Sequence, residues 1–478
     1  MDIEKRARRQ SRRIIISEVL MVLTVIVTVS ILAFIVSGYW VGSDFKIERQ
    51  GLLQVYSTPT GADIAVDNNT ASWLQHTNTS MTLSAGEHNI TLTKEGYDSW
   101  SRTIKITEGL LYRLHYPRLF PMERAEETAF DSSANFAIVT PDRDSVLLAN
   151  NTTSWQLLGL DTDKIKPTTL DLSEILPFSS RADGASVGLF TGTIERAKWA
   201  SDNEHLLLKI KQGDNTSWVL LNTKNLSSSI NLTKEFNTDF ETIEILDQSA
   251  SSLLAVLKGN LHRIDVPAKQ ISAVLVPKIK FFDFYEHTLV FSAETDSANS
   301  ADQPESPYYI GMSKIGSTEI TKLKDTPTPD KIAITKFYDD EYICVINTDS
   351  ATLYLKNNFV EKNTFPLSFN PEKIKVGSSG EAIIMYTGGQ IATLDMEAMQ
   401  IFDWSVDASS FGWLDGSMIY AIKDSVLNVY DFNGLNHRTL SNNVSSHFPV
   451  TITSDKYLYY FRDGSLIREY LNGGRRGT

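Results

Sequence analysis

Apolar and polar positions alternate with period two through much of this chain, and one segment breaks the pattern. Leu53, Val55 and Ser57 alternate with Gln54 and Tyr56, Ala62, Ile64 and Val66 with polar neighbours, and His88, Ile90 and Leu92 with Asn89, Thr91 and Thr93. Turn residues punctuate these runs at Pro59-Thr60-Gly61, Asp67-Asn68-Asn69, Ser84-Ala85-Gly86-Glu87 and Lys94-Glu95-Gly96. The pattern predicts half-buried antiparallel strands over residues 51–107. The break is Val19 to Trp40, 22 positions without a charged side chain. As a helix rising ~1.5 Å per residue, that run covers ~33 Å, enough for a hydrocarbon core of ~30 Å.

Charge sharpens this expectation. Lys5, Arg6, Arg8, Arg9, Arg12 and Arg13 precede the run and outnumber Asp2 and Glu4, whereas the whole chain carries −13. Because Lys and Arg resist translocation, residues 1–18 are expected to form a cytoplasmic tail and 19–40 a single-pass transmembrane helix. The acidic bulk is then extracytoplasmic, with Tyr39 and Trp40 at the outer interface. The lipid bilayer is the first expected partner. A signal peptide has a shorter apolar core and a small-residue cleavage site, which Ser37-Gly38-Tyr39-Trp40 lacks. Gly38 and Gly42 have a G-x-x-x-G spacing but sit where a helix would end.

Composition sets further bounds. Hydrophobic content of 42% and charged content of 22% suit a packed globular protein, and 478 residues exceed one ordinary domain. Cys344 is the only cysteine, so no intrachain disulfide forms and no lipid-anchoring cysteine follows the apolar run. An exported chain of this size without disulfides fits a bacterial or archaeal envelope protein. The acidic balance gives no footprint for nucleic acid. Asn-x-Ser/Thr triplets such as Asn78-Thr79-Ser80 are numerous because the chain is rich in all three residues.

Within 51–107 a spaced motif is present: Gly51, Leu53, Val55, Ser57, Pro59, Gly61, Ala62, Ile64, Val66 and Asp67, then Gly86, His88, Ile90, Leu92, Lys94, Gly96, Tyr97 and Trp100. It resembles the PEGA domain family, with Thr60 in place of the eponymous Glu and no Gly or Pro between Thr70 and Ser80. The resemblance implies a small β-sandwich without catalytic residues, a surface location, and binding of a cell-wall polymer or surface protein. Trp73 and Trp100 are the candidate sugar-stacking residues. A large aromatic contributes so much buried area to a small core that the default expectation is core packing for Trp100, with Trp73 capping a loop.

After a connector over 108–125, residues 126–471 show a loose repeat of about 40 residues. Its clearest copy runs from Ala197-Lys198-Trp199 through the Asp202-Asn203 turn to Leu206-Leu207-Leu208, and then Trp218-Val219-Leu220-Leu221. Ser410-Phe411-Gly412-Trp413 through Ile419-Tyr420 repeats it. Units begin near 127, 194, 241, 280, 332, 372, 409 and 447, which predicts a β-propeller of seven or eight blades. The copies resemble TolB-like or WD40-like blades, although no W-D or G-H signature recurs. A pair of two-sheet sandwiches is the alternative architecture. The last unit shows three strands, near Val450, Tyr457–Phe461 and Leu466–Tyr470; Leu110–Tyr116 is the expected fourth. Residues 173–193 read as an insertion, the polar acidic stretch 293–307 as a mobile excursion, and 472–478 as a frayed tail.

Searches for chemistry give little. Gly184-Ala185-Ser186-Val187-Gly188 has the G-x-S-x-G form but lacks the strand before and helix after that a nucleophile elbow needs. The eight histidines never fall at metal-ligand spacing, and Asp142-Arg143-Asp144 and Asp161-Thr162-Asp163 lack the other ligands of a calcium loop. No catalytic residue, cofactor site or metal site is therefore expected. The fold class is mainly β: one N-terminal transmembrane helix, a PEGA-like sandwich and a propeller. The leading functional expectation is a non-enzymatic envelope protein that binds or scaffolds a surface polymer or protein. The alternative is an exported glycan-active enzyme with carboxylates at the propeller channel. An extracytoplasmic sensor is disfavoured, because so short a tail holds no signalling domain.

Overall fold

The computed structural model describes residues 18–33, 39–41, 47–70, 76–176, 178–179, 189–295, 306–377 and 380–471. It is mainly β, with a unit ending at Phe120 and a second beginning at Pro121.

The N-terminal expectation is corrected. The described helix covers residues 18–33, about 24 Å at ~1.5 Å per residue, which falls short of a ~30 Å hydrocarbon core. Tyr39–Val41, expected to finish that helix, is instead a strand paired with Ile47–Val55 in the register Tyr39↔Arg49. Strand pairing satisfies the backbone of these residues. Among the described residues no helix is long and apolar enough to cross a membrane. Among the described residues the transmembrane helix is not found, and the cytoplasmic N-terminus and extracytoplasmic bulk that rested on it are not supported.

In the first unit two four-stranded sheets form. One holds Tyr39–Val41, Ile47–Val55, Thr79–Ser84 and Leu111–Leu114; the other holds Asp63–Val66, Asn69–Thr70, Gly86–Thr93 and Trp100–Ile106. Alternation does what it should: Trp100, Arg102, Ile104 and Ile106 turn inward while the residues between them stay more open. Leu53, Val55, Ala62, Ile90, Leu92 and Trp100 are fully buried and make the core. Gly51 is required by packing, since a Cβ there would meet Ile106 Cγ2 at 2.5 Å and the Thr107 carbonyl at 2.6 Å.

The second unit contains eight four-stranded antiparallel sheets among the described residues. Their first strands are Phe136–Val139, Thr193–Trp199, Thr242–Ile245, Ile279–Tyr285, Lys331–Phe337, Lys373–Val376, Ser410–Trp413 and Thr451–Thr453. We number the sheets as blades 1 to 8. Within a blade the middle strands are buried on both faces: Leu206, Leu207, Leu208 and Ile210 in blade 2, or Ile343, Cys344, Val345 and Ile346 in blade 5. The last strand is mostly exposed, as in Val360–Pro366. Successive blades share apolar seams; blade 1 packs on blade 2 through Leu147, Trp155, Leu206 and Leu208, and on blade 8 through Val146, Leu158, Tyr459 and Phe461. Each sheet thereby buries both faces against neighbours, the condition for a propeller.

Ring closure differs from expectation. The fourth strand of blade 8 is Glu126–Phe130, paired with Ser465–Tyr470 in the register Thr128↔Ile467. Leu111–Leu114 pairs instead in parallel with Ile47–Val55 in the first unit. Within the expected insertion, Phe178–Ser179 pairs with Leu189–Phe190. Residues 184–188, with the G-x-S-x-G motif, lie outside the described residues, as do 296–305 and the tail 472–478. The described ends of the acidic stretch are joined by a hydrogen bond from Thr295 N–H to the Pro307 carbonyl, 2.8 Å.

Candidate functional site

The first strands of blades 2, 4, 6 and 7 are mostly half-buried or exposed, whereas those of blades 5 and 8 are largely buried. Together the first strands carry seven cations (Arg196, Lys198, Lys280, Lys331, Lys336, Lys373 and Lys375) and three carboxylates (Glu195, Glu244 and Asp283). All ten lie on blades 2 to 6. The first strands of blades 7, 8 and 1 read Ser-Phe-Gly-Trp, Thr-Ile-Thr and Phe-Ala-Ile-Val. Of the cations, Arg196, Lys198, Lys280, Lys336 and Lys375 line cavities on the side of blades 2 to 6.

Two cavities open on that side. The larger, about 960 Å³, lies against blades 2, 3 and 4 and is walled by Arg196, Lys198, Glu244 and Asp283. The smaller, about 540 Å³, lies against blades 4, 5 and 6 and is walled by Asp283, Thr335, Lys336 and Lys375. Both volumes lie in the range of small-molecule sites. Phe282, Asp283 and Phe284 line both, so the blade 4 strand is the wall between them.

Glu244 ties blade 3 to blade 2. Its carboxylate accepts from Lys198 Nζ at 2.8 Å and pairs with the Arg196 guanidinium. Burial works to raise its pKa, but the charges of Lys198 and Arg196 outweigh it and hold Glu244 below the ordinary range. Asp283 ties blade 4 to blade 5: Oδ2 accepts the Ile334 N–H and Oδ1 the Phe284 N–H, each at 2.9 Å. Burial dominates here and pushes Asp283 up to about 6, against the two N–H donors and Lys198, while Glu244 pushes the same way as burial. The indole N–H of Trp199, on the larger cavity, is buried without a partner among the described residues.

Most of the first-strand cations are spoken for. Lys280 pairs with Glu294 at 3.3 Å, Lys331 sits over the Phe281 ring at 5.3 Å, and Lys373 over Tyr386 at 6.0 Å. Lys336 and Lys375 are different: among the described residues neither ammonium has an ion pair or hydrogen bond. Lys375 is open to the cavity but ringed by protein, and the lost hydration lowers its pKa. Gly380, at φ +74°, lets blade 6 close on this spot, because a Cβ there would lie 2.2 Å from the Lys336 carbonyl. Sequence reasoning passed over these residues. Their signal was Lys or Arg recurring in the first strand of successive units, which is visible only once the strands are aligned.

The sequence-predicted site residues fare differently. Trp100 is fully buried, edge-on to Tyr116 with centroids 5.9 Å apart, and offers no face to a sugar. Trp73 lies outside the described residues. The motif around Trp100 does structural work. Asp67 starts a tight turn with φ 52° and accepts from His88 at 2.7 Å and from the Asn89 N–H at 2.8 Å. Lys94 Nζ donates to the carbonyls of Thr60 (2.7 Å) and Gly61 (3.3 Å), fixing the Pro-Thr-Gly-Ala turn. Among the described residues no group of three or more His, Cys, Asp or Glu is placed to hold a metal. Burial pushes the Cys344 thiol up to about 12, which keeps it unreactive.

Residues 50–118 match the PEGA domain family. The match takes in Leu111–Leu114, the strand that completes the first sheet. No curated protein matches the chain in sequence. Among solved structures it is similar to the Dos1 propeller, at 12% identity and a TM-score of 0.43, over 75% of this chain and 96% of that one. It is also similar to Hsv2p of Kluyveromyces lactis (8%, TM-score 0.41, 64% of this chain and 97% of that one). A third is oligogalacturonate lyase from Vibrio parahaemolyticus (11%, TM-score 0.38, 73% of this chain and 97% of that one). At these identities and TM-scores nothing of their chemistry carries over to this chain.

Proposed function

We propose that this chain is a binding module and not an enzyme, its PEGA domain and its propeller presenting stiff surfaces to a polymer or a protein. The observation that carries this reading is the state of the two first-strand carboxylates that line the larger cavity. Glu244 is committed to Arg196 and Lys198, and both oxygens of Asp283 are committed to backbone N–H groups. A general acid or base must reach the substrate with a free proton or lone pair. These two carboxyls instead hold blade to blade. The motif residues Asp67, His88 and Lys94 likewise brace turns in the small domain.

The test follows binding and chemistry together. The full chain is incubated with a panel of neutral and acidic oligosaccharides and peptides, and retained and free fractions are analysed by mass spectrometry. Retained ligands recovered intact are expected; a new product that forms only with protein overturns the reading.

One observation favours a second reading, an enzyme acting on glycans. Glu244 and Asp283 line one cavity, and their surroundings push their titrations apart, as in an acid and base sharing a site. On that reading a product does form, and it disappears in both Glu244→Gln and Asp283→Asn.

A further inference from the structure

We propose that the cavity between blades 4 and 6 holds an anionic group, a phosphate or a carboxylate, between the ammonium groups of Lys336 and Lys375. The proposal rests on the binding reading above and names the chemistry of the ligand.

Elimination points to these two lysines. Of the seven first-strand cations, five have a carboxylate or an aromatic ring as partner. Lys336 and Lys375 have neither among the described residues, yet they line the same cavity. Two positive charges on one cavity wall favour an anionic ligand over a neutral or cationic one. Among the described residues no carboxylate pairs with either. Asp283 stands on the same wall, but its oxygens face the N–H groups of Ile334 and Phe284, and the charged groups acting on it are Lys198 and Glu244. An anion there would receive charge-assisted hydrogen bonds from the two ammonium groups.

The backbone keeps the two lysines in place. Lys336 is the penultimate residue of the first strand of blade 5, and Lys375 lies in the first strand of blade 6. Gly380 packs against the Lys336 carbonyl where any side chain would clash. Thr335 is buried on the same wall, and its hydroxyl donates to the Lys336 carbonyl at 3.5 Å. Net charge elsewhere works the other way. An anion approaching a chain of −13 is repelled overall, so binding here requires a local site and does not follow from bulk attraction.

The test is isothermal titration calorimetry of the full chain with inorganic phosphate and, separately, with citrate at low ionic strength. The variants are Lys336→Gln/Lys375→Gln together, and Lys423→Gln as a control that removes one exposed, ion-paired charge on blade 7. Thermal unfolding confirms that each variant is folded. Saturable binding of either anion is expected, weakened at least tenfold in the double variant and within twofold of the parent in the control. Preference for phosphate or for citrate identifies which anion the site takes. Failure of the parent chain to bind both anions, or equal weakening in the control, overturns the proposal. Neither result touches the binding reading, which stands or falls on intact retention of the polymer and peptide panel.

Discussion

Replacing Arg468 with Met is expected to open the propeller. Arg468 is buried in the third strand of blade 8, opposite Glu127 of the closing strand. Its Nε donates to Glu127 Oε1 at 2.9 Å, Nη1 to the Thr162 carbonyl at 2.9 Å, and Nη2 to the Asp163 carbonyl at 2.8 Å. The rings of Tyr457 and Tyr470 flank the guanidinium, with centroids 4.9 and 5.5 Å away. One side chain therefore joins blade 8, the strand that closes it, and the loop after the third strand of blade 1. Methionine keeps an apolar stem but removes the donors to one carboxylate and to the carbonyls of Thr162 and Asp163, two exposed loop residues that water can reach. Breaking a buried pair costs roughly 3–5 kcal/mol, and each lost charge-assisted hydrogen bond roughly 1.5–3 kcal/mol. Glu127 keeps the Tyr470 hydroxyl at 2.7 Å and some access to water, which softens the loss. A net destabilisation of about 3–5 kcal/mol is expected, since such terms overlap. Urea unfolding of the full chain, followed by the fluorescence of blade tryptophans such as Trp155 and Trp218, measures it. Limited proteolysis should then cut first near 121–135. A loss under about 1 kcal/mol, the range of exposed pairs, with no new cleavage, would refute the reasoning.

Three further outcomes follow from the same geometry. Asp283 has its pKa raised from 3.8 to about 6 by burial, so its contribution to stability is full below about pH 4 and is lost as pH rises through about 6. That shift corresponds to about 3 kcal/mol. Asp283→Asn should therefore gain stability relative to the parent between pH 4 and 7.5 in urea titrations; parallel curves would contradict this. Gly380→Ala should destabilise blade 6 and weaken any ligand of the Lys336–Lys375 cavity, because the added Cβ meets the Lys336 carbonyl; unchanged unfolding and binding would contradict the close approach. Thr128→Cys with Ile467→Cys should form a disulfide under mild oxidation, seen as a linked peptide pair by mass spectrometry. Absence of that link, with the native Cys344 buried and inert, would place the closing strand elsewhere.

The blades were legible because their middle strands are short apolar runs bounded by turns, as in Leu206–Leu208 after Asp202-Asn203. The first strands of blades 2 to 7 begin within two residues of the expected 194, 241, 280, 332, 372 and 409. The unit expected near 127 turned out to be the closing strand, since pairing across more than 300 residues leaves no local pattern. The N-terminal run misled for a related reason. Uninterrupted apolarity reads alike for a helix and for a buried or edge strand, and Tyr39–Val41 was settled by its pairing with Ile47–Val55. The channel residues were illegible singly: Lys336 and Lys375 are solvent-type residues far apart in sequence, and only the stacking of consecutive blades brings them to one cavity. In the small domain the spacing was informative about structure, and the same spacing put Trp100 inside the core.

The most direct measurement of the central claim is the rate at which individual lysines are acetylated in the full chain near pH 8, with and without phosphate or citrate. Lys375, its ammonium poorly hydrated and unpaired, should react faster than the ion-paired Lys423, whose pKa is raised by its hydrogen bond to Asp407. Saturating anion should then slow Lys375 and Lys336 together and leave Lys423 unchanged. Labelling of Lys375 no faster than that of Lys423, and indifferent to both anions, would contradict an anion-holding cavity at the centre of the ring.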